Sequence, residues 1–202
     1  MRKIILLGLL FNLLSVKAQE KITTYTMWEK EYEIQSTEPS DSAYSLYIDG
    51  VPLDKTVDKG GLIVKNEYLD EFINCIKFSR EKYVEWTQTA KDNNIKDLKK
   101  DVDIKKIPKL GGYFNYGSWH FDFNVKPYFK YTISETKAGL INYSLIIYTG
   151  KLQASDNEYI DSDSFVYIFY SINEIDDFLL KLNEELVYNH FGAKNFKGDL
   201  FK

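Results

Sequence analysis

One cysteine, Cys75, and two histidines, His120 and His190, are all that the 202 residues offer of the side chains that most often build staples, metal centres and general bases. A single cysteine excludes an internal disulfide, so the fold has to rest on its hydrophobic core. Cys75 itself reads as a small buried or half-buried apolar residue, with a reactive thiol as the sharper alternative. Acyl transfer needs a nucleophile, a base and an orienting group in one place, and only the two histidines are available as the usual base. No GxSxG elbow, HExxH pair or phosphate-cradling glycine loop is present. The expectation is a non-enzymatic protein with no cofactor and no metal. Basic charge is also short, with 26 Lys and Arg against 30 Asp and Glu. Nucleic-acid binding needs a basic face, so nucleic acid is not an expected partner. Neither an internal repeat nor a low-complexity segment occurs.

One long apolar run exists, and it lies at the N-terminus. MRKIILLGLLFNLLSVKAQ places Arg2 and Lys3 before an apolar stretch from Ile4 to Leu14, with Val16 and Ala18 as small residues behind it. This has the layout of a secretory signal cleaved after Ala18, too short to span a bilayer. Removing Arg2, Lys3 and Lys17 moves the formal net charge from −4 to about −7. The expectation is residues 1–18 as signal peptide, 19–192 as one domain and 193–202 as a C-terminal tail. The mature chain then has no membrane span and resides in a periplasm or outside the cell.

Along that domain, Lys21 to Gln35 reads as one or two edge strands, and Tyr44 to Asp49 as a strand ended by the Asp49-Gly50 turn, which Pro52 keeps from continuing centrally. Gly60-Gly61 leads into Leu62-Ile63-Val64. A helix is expected over Glu67–Asp92, N-capped by Asn66, with Leu69, Phe72, Ile73, Ile76, Tyr83, Thr87 and Ala90 on one stripe. Arg80 falls inside the stripe, as a snorkelling side chain or an anion ligand. Phe78 lies opposite. Asn93 to Lys109 carries dense mixed charge and reads as a surface connector. Strands follow at Tyr128–Ile133, Leu140–Tyr148 and Ser164–Tyr170, the last apolar on both faces as in a central strand. Ser171-Ile172-Asn173-Glu174 is a capping box opening a final helix. Its stripe is Ile172, Ile175, Phe178, Leu179, Leu182 and Leu186, and Gly192 suits its stop. The fold class is therefore α+β: a single antiparallel sheet of about six to eight strands with two amphipathic helices packed on it.

Gly111 to Ile133 holds nine Phe, Tyr and Trp residues. Gly117-Ser118 suits a two-residue type II′ hairpin turn. That register puts Phe114, Tyr116, Trp119, Phe121 and Phe123 on a buried aromatic side, continued by Phe129, Tyr131 and Ile133. Tyr113, Asn115, His120 and Asp122 share the other side and are the candidate ligand-binding residues. His120 beside Asp122 suggests a tuned base or half a metal site, against a solvated polar ladder as the plain alternative. His190 at a helix end suits the dipole as a cation. Asp156, Asn157, Glu158, Asp161, Ser162 and Asp163 offer oxygen ligands but break the EF-hand spacing, so a solvated acidic loop is expected. Aromatics make up 16% of the chain, 16 of them tyrosines, which suits either a binding surface or a tyrosine-filled core.

The signal ending in KAQ, then YIDGVPL, DKGG, FINCIKFSREKYVEWTQTAKDNN and SINEIDDFLLKLN, together resemble small exported proteins of unknown function from Bacteroidetes-type bacteria. The resemblance implies export and carries over no catalytic residue. The functional expectation is an exported non-enzymatic binding protein with a protein or glycan partner. The alternatives are an immunity-type inhibitor of a periplasmic toxin and a hydrolase centred on His120.

Overall fold

The computed structural model describes residues 19–199, with side chains as far as Gly192. The expected signal, residues 1–18, lies outside the described residues. In chain order the elements are β1 (Gln19–Met27), β2 (Lys30–Thr37), β3 (Ser45–Asp49), β4 (Val51–Pro52), β5 (Gly60–Lys65), α1 (Asn66–Asp92), β6 (Leu98–Asp101), β7 (Leu110–Tyr116) and β8 (Ser118–Val125). They continue as β9 (Tyr128–Glu135), β10 (Ile141–Tyr148), β11 (Leu152–Gln153), β12 (Asp161–Ser162), β13 (Phe165–Phe169), α2 (Ile172–Lys181) and α3 (Glu184–Asp199). The class is α+β and the strand pairing antiparallel, but the strands do not form one sheet. Six make a sheet in the order β1-β2-β3-β5-β7-β8, five a second in the order β4-β13-β10-β9-β6, and β11-β12 is a small ribbon.

The single-sheet expectation fails at one junction. Lys126-Pro127 does not turn β8 back alongside β9; it carries the chain from the edge of the first sheet into the second. Phe129, Tyr131 and Ile133 are buried, but in a different layer from the hairpin before them. The supposed connector after α1 also contributes β6, a four-residue edge strand whose exposed Lys99, Lys100 and Asp101 discourage further pairing. Pro52 likewise sits on an edge strand, where its missing N–H costs nothing.

The helices lie against both sheets. α1 packs on β5 and β10, and α2 on α1, β1 and β13. Leu69, Phe72, Ile76, Tyr83 and Ala90 are buried as the α1 stripe requires, and Cys75 joins them as a small apolar residue. Burial pushes its thiol up to about 11, which removes it as a nucleophile at neutral pH. Asn66 does not cap α1. Its amide donates to Ser42 O at 2.8 Å, and Lys65 takes the capping position without a side-chain bond. Arg80 forks onto both Asp176 oxygens, tying α1 to α2 and drawing the Asp176 carboxyl below its usual range.

The capping box at Ser171 and Glu174 is present, and Ile175, Phe178 and Leu182 are buried. The expected single last helix is two, so the described residues hold three helices rather than two. Asn183 accepts from Glu185 N at 2.9 Å and caps a new start, and α3 runs past Gly192 to Asp199. His190 is thus inside a helix, 3.3 Å from Glu20 of β1, not at a helix end.

One buried cluster joins both sheets and the helices. Its centre is Phe178, whose ring lies 4.7 Å from Tyr25 of β1, 6.0 Å from Tyr167 and 5.1 Å from Phe169 of β13. Tyr167 goes further. Its hydroxyl accepts from Leu62 N at 2.9 Å and donates to Ile48 O at 2.7 Å, two residues paired across β3 and β5. Gly61 makes room for it: a Cβ there would stand 1.9 Å from Ile48 O and 2.8 Å from the Tyr167 hydroxyl.

Two substitutions test this seam by urea denaturation. Tyr167→Phe strands a buried donor and acceptor and is expected to cost about 2 kcal/mol. Gly61→Ala forces the β3 backbone aside and is expected to cost roughly 3 kcal/mol or to abolish folding.

Candidate functional site

The hairpin that carries the candidate residues is tighter than a two-residue turn allows. Tyr116 pairs with Ser118, Asn115 with Trp119, Phe114 with His120, Tyr113 with Phe121 and Gly112 with Asp122, leaving Gly117 alone at the tip with φ +70°. A left-handed φ is cheap for glycine, and a bulge on β8, where Phe123 and Asn124 stand against Gly111 alone, takes up the slack at the other end. The register is one residue away from the expected one, and because strand side chains alternate, that step exchanges the faces of β8.

The exchange undoes the expected grouping. His120 points inward, 7% exposed, with its ring 5.4 Å from Phe114. Tyr116, Trp119 and Phe123, expected in the core, are 53%, 49% and 70% exposed, while Phe114 is buried as expected and Phe121 half-buried. Tyr113 and Asn115 lie on one face of the sheet, His120 and Asp122 on the other. They do not form one site. Asp122 receives Asn124 N at 2.8 Å and Gln153 N at 3.0 Å, so it fastens β11 across the edge of β8. His120 Nε2 meets Ser118 Oγ at 3.0 Å, but its Nδ1 is buried without a partner. Nothing orients the ring from behind, and His120 does not line the groove on the outer face of the sheet. In the acidic loop, Asp161 pairs with Lys151 at 2.9 Å and Asn157 accepts from Tyr159 N. Among the described residues, no group of three or more His, Cys, Asp or Glu is arranged to hold a metal ion.

The more informative surface is the outer face of the six-stranded sheet. Leu46, Ile48, Leu62, Val64 and Phe114 point inward to the common core. Their neighbours Tyr47, Ile63 and Tyr113 point outward; Ile63 and Tyr113 are buried yet stand apart from that core. Tyr113 meets Tyr47 edge-on at 5.4 Å and Trp119 at 5.9 Å, so aromatic rings run across the face from β3 to β8. Gly111, opposite Ile63, leaves the floor open where a side chain would fill it. The result is a groove of about 420 Å³ lined by Ser45, Tyr47, Ile63, Lys65, Tyr68, Lys109, Leu110, Gly111, Phe121 and Phe123. That volume falls within the roughly 300–1,000 Å³ of small-ligand sites.

Tyr113 is held in place from behind. Its hydroxyl donates to Asp49, whose other oxygen lies 3.1 Å from Lys59 Nζ; Lys59 also reaches Glu33 at 3.2 Å. Burial pushes the Asp49 carboxyl up, against the Tyr113 and Lys59 bonds that pull it down. Burial pulls Lys59 the other way, but its bonds to Asp49 and Glu33 win and raise it. The outcomes differ because the Asp49 side chain is 10% exposed and that of Lys59 39%. Burial raises Tyr113 well above an ordinary phenol, helped by the Asp49 charge, so it is a fixed donor rather than a nucleophile. The cluster braces the aromatic face.

Composition hinted at this surface through its tyrosines, and the signal that could have found Tyr47 is the alternation of Tyr44 to Asp49, which sets it on the side away from Leu46 and Ile48. The pairing of β3, β5, β7 and β8 that brings Tyr47, Ile63 and Phe121 together is long-range and had no local signal. Comparison with known proteins adds no further constraint, since no protein-family model, curated protein or solved structure matches this chain.

Asp49 gives a pH test. A carboxyl raised by folding adds stability that is full below its unfolded value, 3.8 for the reference group, and is lost as pH rises through the folded one. Asp49→Asn keeps an acceptor for Tyr113 and removes that loss. In urea titrations the variant is expected to gain on the wild type at pH 7 and to lose the advantage near the bottom of the carboxylate range.

Proposed function

We propose that this is an exported, non-enzymatic binding protein that holds a small apolar ligand in the groove on the outer face of its six-stranded sheet. The observation that carries the reading is Phe123, 70% exposed beside Phe121 at the rim of an aromatic cavity of about 420 Å³. An exposed phenylalanine gains from company, and a concave apolar site with few polar groups is the ordinary form of a ligand pocket. Export is supported by Arg2, Lys3 and the apolar run behind them. Of the partner classes the sequence suggested, a neutral glycan is served poorly, because no Asp, Glu, Asn or Gln lines the groove to bond its hydroxyls. No feature favours the inhibitor reading.

A second reading rests on the Ser118–His120 contact of 3.0 Å, the nucleophile–base pairing of a hydrolase. It ranks lower because His120 Nδ1 has no orienting partner and neither Ser118 nor His120 lines the groove. An ester panel that showed turnover in the wild type and none in Ser118→Ala would reverse the ranking.

The neutral dye Nile red reports the groove directly. Phe123→Ser is expected to weaken its binding about ten-fold, the worth of one well-buried side chain, without moving the thermal midpoint. Unchanged dye affinity would reject the groove as the binding site.

A further inference from the structure

We infer that the ligand of this groove is a single-chain carboxylate, an apolar tail with one anionic head, and that Lys65 and Lys109 hold the head; the inference rests on the groove being the binding site. In a chain of net charge −4, the groove is lined by two lysines and by no carboxylate. Lys109 makes no ion pair among the described residues. Among the described residues Lys65 pairs only with Glu67, 3.9 Å away, with both side chains more than half exposed, a contact too weak to compete with a bound anion. The local charge is therefore opposite to that of the molecule, which is the condition for selecting an anion.

The walls select the rest of the ligand. Phe121 and Phe123 stand two residues apart on β8, their rings within 3° of parallel and 6.4 Å between centroids. With Ile63 on the floor they present an apolar strip, and Lys65 and Lys109 line the same groove two residues along the chain from the Ile63–Gly111 pair. A tail needs dispersion contact along such a strip and no polar partners, whereas a sugar ring finds only the hydroxyls of Ser45, Tyr47 and Tyr68 beside the two lysines, with no carboxylate or amide side chain to bond its hydroxyls. No arginine lines the groove either, so no planar fork is present to favour a phosphate diester, and a compact carboxylate suits two point charges.

Calorimetric titration of the full chain with dodecanoate and with dodecanol, each below its aggregation concentration, tests the assignment. Dodecanoate is expected to bind about ten-fold more tightly, each exposed lysine adding roughly three-fold, and added salt is expected to shrink the difference. In the double variant Lys65→Met/Lys109→Met the two probes are expected to bind alike. Equal affinity of the two probes for the wild type would overturn the carboxylate head and leave the groove reading standing. Failure of both probes to bind, or binding indifferent to Phe123→Ser, would overturn the groove reading as well. All three positions are exposed, so misfolding does not confuse the outcome.

Discussion

The Tyr167 hydroxyl, standing between Ile48 O and Leu62 N, is the contact on which the two-sheet arrangement depends. A tyrosine on β13 of one sheet completes the backbone bonding of β3 and β5 in the other, so the sheets cannot part without leaving buried polar groups unpaired. Gly61 is needed at that point because any Cβ would meet the Ile48 carbonyl. Phe178 and Tyr25 close the apolar side of the same seam, and Tyr25 donates to the Asp49 carbonyl. Core and candidate site therefore share a strand. β3 turns Leu46 and Ile48 to the seam and Tyr47 and Asp49 to the outer face.

That sharing leaves the outer face free of the core while the fold still holds it in place. A sheet is hydrophobic on at least one side, and here the inner side suffices for the core, since the helices and second sheet all lie there. The outer aromatics are not needed to close the fold, yet they are fixed by it. Tyr113 is pinned by Asp49, and Asp49 is held by Lys59, which is shared with Glu33. A rigid face loses little freedom when something binds, which is how a modest groove gains affinity.

Much of the local structure was legible because its causes are local. The 3.6-residue recurrence of Leu69, Phe72, Ile76 and Tyr83 marks α1 wherever it packs, and its end at Asp92 is as expected. The capping box at Ser171 and Glu174 forms from four consecutive residues. Where the structure departs from the local pattern, a distant partner decides. Asn66 forms its bonds with the Ser42–Tyr44 turn instead of capping, and Asn183 interrupts a stripe that apolar spacing alone would have continued to Leu186. The candidate site was less legible than the fold. Of Tyr113, Asn115, His120 and Asp122, only Tyr113 has its ring among those of the outer aromatic face, where it acts as a brace.

By itself the sequence determined an α+β chain without disulfides, its helical stripes and most of its strands, because periodicity, caps and turn residues act over a few residues. Tertiary structure decided which sheet each strand joined and which way β8 faced. Burying His120 against Phe114 lets β11 and the residues just after it bond along the edge, with Ser155 N on Phe121 O at 2.8 Å and Gln153 N on Asp122 at 3.0 Å. Those partners lie some thirty residues downstream. A one-residue choice made by them moved Trp119 and Phe123 out of the core and set Phe121 and Phe123 along the groove.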